Sequence, residues 1–396
     1  MRLQPGRWLL RDIGQFVEAP TLTVSSIQQK FVAALVLVTI GLAYVVGRSA
    51  VDAYRQWYQE PLGAPLPTSP YTPIQLPATW TPAPQASTPA PPAGPSSAGT
   101  KVPACGGPPL MTLLLIGSDT RGTGYTWGLA DVIRIARIDF ITPRLTVLDF
   151  PRDLWVEIPE ISDDLNGQDH EKLNQAYLYG NPGDGFGYWD DPSAGPGLLA
   201  RTLDLNFGAR VDHYLAINMR TFVRMVDAVG GIDVSLEHKI AGSDNPHLQA
   251  GRHHLNGAEA LAVARDRTEG VFSRDDNQNL VLCALYKKIN SPGVVTRIPE
   301  LVDSFRGSVQ TDLDPESMRQ IACLASRMPI ENVTLYGFPE HFFTPARVYD
   351  PVFEKSVFIW EADDLLLRNF VLQFADGSLH LDESESDVAE TTTYCP

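Results

Sequence analysis

From Met111 to the region of Gly377 the apolar residues fall in short alternating or continuous blocks of strand length. Met111–Ile116, Val132–Ile138, Arg144–Phe150, Trp155–Ile158, His213–Asn218, Ile232–Leu236 and Val333–Phe338 are predicted strands. Between them the spacing turns helical. Gly197–Phe207 and Thr221–Val229 carry apolar residues on one side and end at glycines, and Asn256–Ala264 opens on an Asn cap. Asp314-Pro315-Glu316 starts a further helix, a cap residue followed by proline in the first turn. Strands interleaved with helices, without an internal repeat, predict an α/β fold: one mixed-sheet α-β-α domain over residues 105–377.

Upstream the pattern differs in kind. Phe31 to Gly47 is an uncharged apolar run bracketed by Lys30 and Arg48, close to the roughly 20 residues a helix needs to cross a bilayer. Thirty residues precede it and no A-x-A site ends it, so a retained anchor is expected in place of a cleaved signal. Arg2, Arg7, Arg11 and Lys30 outnumber the acids before the run, which predicts a cytoplasmic segment at 1–30, a transmembrane helix at 31–47 and an extracytoplasmic remainder. Residues 48–104 read as a stalk. Pro61 to Thr100 carries no charge, and 13 of the 32 prolines lie between Pro61 and Pro103, so the stretch favours extended polyproline II. Residues 378–396 read as an acidic, solvated tail that Cys395 could tie down.

Charge and cysteines narrow the classes. A formal net charge of −16 opposes a nucleic-acid footprint, which needs clustered Lys and Arg. An anion site must then be local. Cys105, Cys283, Cys323 and Cys395 lack zinc or CxxC redox spacing and suit one or two disulfides in an oxidising compartment, or else buried thiols. Spacing leaves the connectivity open; the expected pairs are Cys283–Cys323 between two helices and Cys105–Cys395 joining the domain's ends.

Four places gather polar chemistry at predicted strand ends. Gly117-Ser118-Asp119-Thr120-Arg121-Gly122 follows the first strand, where α/β folds put ligands. Asp131 opens the next strand; if the intervening segment folds back, Asp119 and Asp131 share one site suited to Mg²⁺, with two turn-forming aspartates as the plainer reading. Pro151-Arg152-Asp153 follows the third strand, and the proline stops pairing there. Arg265-Asp266-Arg267 follows an apolar helix, with Arg274 and Gln278 beyond. Arg265 and Arg267 project together only if the segment leaves helical geometry, which Glu269-Gly270 favours. Guanidiniums converging on one point match a pyrophosphate, while scattered surface salt bridges are the plainer reading.

These pieces, in order and context, resemble the LytR-CpsA-Psr phosphotransferase family. LLLIGSDTRG, the Asp131 strand, DFPRDLWVEIP, EKLNQAYLYG, DHYLAINMRTFVRMVDAVGGIDV and HLNGAEALAVARDR through FSRDDNQ cover about Leu113 to Lys288. The resemblance implies a membrane-anchored enzyme that moves a glycan phosphate, such as a teichoic acid or capsule polymer, from a polyprenyl-pyrophosphate carrier to peptidoglycan, with a pyrophosphatase side activity. It implies an apolar lipid groove between the sheet and helices such as Gly197–Phe207 and Thr221–Val229. It assigns Asp119 and Asp131 to Mg²⁺ (or Mn²⁺) and Arg152, Arg265, Arg267 and Arg274 to the pyrophosphate. Arg121, Asp153, Lys172, Asn174 and Gln278 are substrate-side residues, Lys172 and Asn174 in a supporting role. Leu129-Ala130-Asp131-Val132 departs from the family's Arg-Ser-Asp-Thr, Ser273 from a Gly, and Asn277 from an Arg. These departures bear on glycan preference and rate more than on reaction class. A non-catalytic lipid-glycan or wall-binding protein is the alternative, and a transcriptional attenuator, opposed by the acidic surface, comes third.

Overall fold

The computed structural model describes residues 44, 48, 62–72, 102–120, 128–162, 167–181, 183, 188–240, 248–267, 272–295, 308–351, 354–379 and 392–395. Residues 59–396 form one compact unit; of the other, residues 1–58, only Tyr44 and Arg48 are described. The predicted span Phe31–Gly47 therefore lies outside the described residues apart from Tyr44. Among the described residues no helix is long and apolar enough to cross a membrane.

The larger unit begins with β1 (Leu110–Ser118), β2 (Ala130–Asp139), β3 (Arg144–Asp149) and the hairpin β4 (Trp155–Glu157) with β5 (His170–Lys172). Helices α1 (Leu173–Gly180) and α2 (Ala194–Phe207) lead to β6 (His213–Asn218) and α3 (Met219–Ala228). The hairpin β7 (Ile232–Leu236) with β8 (Gly251–Leu255) precedes α4 (Gly257–Arg265), α5 (Phe272–Ile289), the single turn α6 (Pro292–Val295) and β9 (Val309–Thr311). Then come α7 (Pro315–Arg327), β10 (Val333–Tyr336), the hairpin β11 (Phe343–Asp350) with β12 (Lys355–Ala362), α8 (Asp364–Asp376) and β13 (Thr392–Tyr394).

Seven strands form a mixed sheet in the order β13-β10-β3-β2-β1-β6-β9. β6 runs parallel to β1 and β10 parallel to β3, while the other neighbours are antiparallel. Strand period two sorts the apolar residues onto both faces. Leu114, Ile116, Ile133, Ile135 and Leu148 pack with α1, α2 and α8 on one side. Met111, Leu113, Ala136, Ile138 and Val147 pack with Cys283 of α5 and Leu324 of α7 on the other. Burying each large side chain contributes roughly 1.5–3 kcal/mol, so the sheet is stable only with both layers in place. The result is the expected α-β-α domain.

The expected caps form. Asn256 accepts from Glu259 N at 3.0 Å and Asp314 from Ser317 N at 2.6 Å, each satisfying an orphan donor of a first helical turn. Helices α1 and α2 meet closely because a Cβ on Gly180 would lie 2.7 Å from Gly195 Cα.

Several expectations need correction. The cysteines pair as Cys105–Cys323 and Cys283–Cys395, not as expected. The 3-10 turn Ala104–Gly106 sits against α7, and β13 delivers Cys395 to α5. Part of the acidic tail is therefore structural: Thr392–Tyr394 pairs antiparallel with β10 at the sheet edge. The stalk is not wholly a spacer either. Arg201 Nη2 donates to Thr68 O at 3.5 Å, Arg210 Nη2 donates to Tyr71 O, and Leu66 packs on the core. An extended proline-rich backbone makes no internal hydrogen bonds, which leaves its carbonyls for these arginines. The helix proposed to border an apolar groove is packed in the core, with Leu198, Leu199 and Leu203 at 0% exposure. Helices α1 and α8 and the β11–β12 hairpin were not anticipated.

Candidate active site

The ends of β1 and β3 and the start of β2 meet at one end of the sheet's central strands, because β2 runs antiparallel to both. Asp119 follows β1 directly. Its amide donates to Leu129 O at 3.1 Å and its Oδ1 accepts from Leu129 N at 2.7 Å, which holds Asp119 beside the start of β2. In the β1–β2 register Gly117 faces Val132 and Ser118 faces Ala130, so Asp131 is the extra residue of a β-bulge. Bulges re-aim a side chain. Asp131 pairs with Arg152 Nη1, which lies just past β3.

Arg152 is held from two sides. Beyond Asp131, its Nε donates to Asp153 Oδ2 at 3.2 Å, and Lys172 Nζ donates to Asp153 Oδ1 at 2.7 Å. Partial burial opposes the guanidinium's charge, but Asp131 and Asp153 outweigh it and raise its pKa further. Burial likewise pushes the Asp153 carboxyl up, and Arg152 and Lys172 together overcome this and hold it below the usual carboxylate range. Asn174 supports the same loop through its amide, which donates to Arg152 O at 3.1 Å, while its side chain is buried.

A second arginine lies beneath. Arg134, 1% exposed, sits opposite Asp149 across β2 and β3 and pairs with it through Nε at 2.9 Å. Its Nη1 donates to Asn279 Oδ1 at 2.7 Å and its Nη2 to Gln278 Oε1 at 3.2 Å, which docks α5 on the sheet. Gln278 Nε2 donates in turn to Ala264 O at 3.4 Å, tying the end of α4 to α5. At that end Asp266 is extended, with φ −64° and ψ 138°, so the chain leaves helical geometry between Arg265 and Arg267.

The cleft so formed is lined by Asp131, Asp149, Phe150, Pro151, Arg152, Asp153, Arg267, Asp275, Gln278, Phe358 and Trp360. Segments far apart in sequence thus bring Arg152, Arg267, Asp131, Asp153 and Gln278 to one place. Arg265 is exposed and is not part of that lining. Arg274 belongs to α5, its side chain outside the described residues, as is the whole of Arg121.

The oxygens near Asp119 suit a hard cation in kind. Around Gly128, at φ +131°, Thr120 Oγ1, Ser118 Oγ and Asp119 Oδ1 crowd the place of a Cβ at 2.3, 2.9 and 3.0 Å. Two carboxylates completed by water and phosphate are a usual Mg²⁺ set, and Asp119 and Asp131 match it in chemical kind, with Asp131 paired to Arg152 and Asp119 Oδ1 accepting from Leu129 N. Among the described residues no group of three or more His, Cys, Asp or Glu is arranged to hold a metal.

Arg134, Asp149, Asn279, Phe358 and Trp360 were missed by sequence reasoning. For Arg134 a signal existed, a lone arginine inside the apolar strand Val132–Ile138. Phe358 and Trp360 gave none, because nothing in the chain's order links them to Arg152.

A family model described as the LytR_cpsA_psr family matches residues 107–357. Regulatory protein MsrR of Staphylococcus aureus strain COL is 29% identical over 211 residues, covering 52% of this chain and 57% of that protein. The polyisoprenyl-teichoic acid–peptidoglycan teichoic acid transferase TagU of Oceanobacillus iheyensis is 29% identical over 214 residues, covering 53% and 61%. The chain thus spans about three fifths of the length of these curated relatives. Among solved structures, B. subtilis TagV aligns with TM-score 0.52 and 22% identity over 67% of this chain and 97% of that one. Streptococcus agalactiae gbs0355 aligns with TM-score 0.53 and 21% identity over 67% and 88%. At these identities the structural likeness is one of fold.

Proposed function

The chain belongs to the LytR-CpsA-Psr family, and on that premise we propose that it transfers a glycan phosphate from a polyprenyl-pyrophosphate carrier to a hydroxyl of peptidoglycan or another wall polymer. The observation that carries this reading is Arg152 held at a strand end by Asp131 and Asp153, with Arg267 lining the same cleft. Two guanidiniums in one cleft match a diphosphate in charge and geometry. The activity in the name of TagU, a polyisoprenyl-teichoic acid–peptidoglycan teichoic acid transferase, is of the same class.

Phosphoryl transfer asks mainly for positioning and charge neutralisation. In the proposed reaction the acceptor oxygen attacks the phosphorus nearer the sugar. A new P–O bond forms there, the bridging P–O bond breaks, and polyprenyl phosphate leaves with the electron pair. Arg152 exchanges its Asp131 partner for a phosphate oxygen while Asp153 keeps hold of Nε, so the guanidinium turns little. Arg267 binds from the α4 side, and Gln278, fixed by Arg134, sets that wall's position. Asp153 serves orientation, since a carboxyl held below its usual range is a weak base. Asp119 and Asp131 would hold Mg²⁺, which supplies charge neutralisation on the phosphate when bound. The acceptor's proton passes to water or to the departing phosphate.

We place the domain outside the cytoplasm on the apolar run Phe31–Gly47, and two disulfides support an oxidising compartment. The name regulatory protein carried by MsrR favours a second reading, control of gene expression, which the net charge of −16 opposes if DNA is the target. Full-length protein given Mg²⁺ and a short-chain polyprenyl-pyrophosphate disaccharide tests the enzyme reading. Metal-dependent release of polyprenyl phosphate, stopped by a chelator and absent in Arg152→Ala, supports it. Binding without release would point to a carrier instead.

A further inference from the structure

Phe358 and Trp360 alternate on one face of β12, with Val357 and Ile359 buried on the other. Their rings stand edge to face, centroids 5.0 Å apart at 84°, and both are half-buried where they border the Arg152 cleft. They lie on a two-stranded ribbon outside the central sheet and just past residue 357, where the family match ends. The ribbon is nonetheless fixed to the site. Trp360 N donates to Asp153 O at 2.9 Å, and Leu154 bridges to Trp360 in parallel. An aromatic pair is thereby held one residue's backbone away from the arginine that anchors the cleft.

We propose that Phe358 and Trp360 form the wall against which a pyranose ring of the substrate packs. The inference rests on the pyrophosphate-glycan reading above and names the part of the substrate this wall takes. Chemistry selects a sugar over the isoprenoid tail. The same cleft carries the carboxylates of Asp149, Asp153 and Asp275, and an isoprenoid chain would strip them of water while offering no hydrogen bond. A pyranose has an apolar C–H face for the indole and phenyl rings and hydroxyls at its edge for those carboxylates to accept from. Small-molecule sites combine apolar walls with a few placed polar groups in this way.

The test is calorimetric binding to the full chain with four probes: inorganic pyrophosphate, a short-chain polyprenyl-pyrophosphate disaccharide, a muramyl disaccharide without phosphate, and a short-chain polyprenyl phosphate without sugar. Trp360→Ala is expected to weaken a sugar-bearing probe roughly tenfold while leaving pyrophosphate within about twofold, and Trp360→Phe to recover most of the loss. Phe358→Ala, in which the Trp360 backbone bonds persist, should show the same selectivity with a smaller loss. Weakening of the pyrophosphate disaccharide alone assigns the ring to the donor, and weakening of the muramyl disaccharide assigns it to the acceptor. Equal loss for pyrophosphate and sugar probes, loss for the sugar-free polyprenyl phosphate, or no loss for either sugar-bearing probe overturns the proposal. If wild-type protein ignores pyrophosphate yet binds a sugar probe through Trp360, the wall stands and the pyrophosphate reading falls.

Discussion

Asp131 and Arg152 stand opposite each other where the β2–β3 register, Arg134 facing Asp149, is continued past the last paired residues of β3, and their side chains form an ion pair. The bulge at Asp131 makes the pairing possible by adding one residue to β2 without a counterpart on β1. Arg152 is thus held in place by carboxylates, as an unpaired half-buried charge would not be.

Arg152→Ala should lower kcat/KM for the pyrophosphate-linked donor by about 10²–10³, the usual cost of deleting a group that stabilises developing charge. Arg152→Lys should recover only a small part, because an ammonium cannot satisfy Asp131 and Asp153 through a planar fork. Steady-state release of polyprenyl phosphate measures both, and full activity of the lysine variant would contradict the assigned geometry.

Arg134→Ala should destabilise the domain by about 3–5 kcal/mol, since it leaves Asp149 without its buried counter-charge and removes the donors that hold Gln278 and Asn279. Urea unfolding reads this. A loss below about 1 kcal/mol would mean that α5 docks without the arginine.

Stability should depend on the Glu171 carboxyl between weakly acidic and weakly alkaline pH. Glu171 is 0% exposed; burial first, and then the neighbouring Asp350, push its pKa up to about 8. Its Oε1 accepts from Gln168 Nε2 at 2.6 Å, and its Oε2 is buried without a hydrogen-bond partner. The folded pKa lies above the unfolded value of 4.5, so the native state binds the extra proton. The associated stability is complete below the unfolded value and is lost as pH rises through about 8. Glu171→Gln should flatten that part of the urea-midpoint profile and make the protein more stable than wild type at pH above the folded pKa. Parallel profiles for the two proteins would refute the assignment.

Non-reducing digestion should yield Cys105 linked to Cys323 and Cys283 linked to Cys395. Cys283→Ser with Cys395→Ser should cost about 2–4 kcal/mol, because the closed loop of 112 residues is released in the unfolded chain and β13 loses its tie. Recovery of a Cys283–Cys323 peptide would show the fold's C-terminal edge to be placed wrongly.

Much of this was legible in the chain. The strands from Met111 to Phe150 read correctly because both faces of the sheet are covered, which leaves near-continuous apolar blocks between turns. The caps Asn256 and Asp314 read correctly because a cap is a local bond within one turn. Helix α1 did not, since all eight of its residues are buried, Asn174 and Gln175 among them, so no polar face marks an outward side. Strands β5, β9 and β13 have three residues each, too few for alternation to show.

Local order determined the α/β class, the strand ends that carry Asp119, Asp131 and Arg152, and the motif context of Arg267 and Gln278, because each depends on residues a few positions apart. Only the tertiary structure decided which cysteines meet, that Arg134 underpins Gln278, that Arg267 and not Arg265 reaches the cleft, and that Trp360 stands beside Asp153. Those facts join segments separated by scores of residues. Their proximity follows from sheet order and helix packing, which depend on how whole faces bury one another and leave no trace in the spacing of any single stretch.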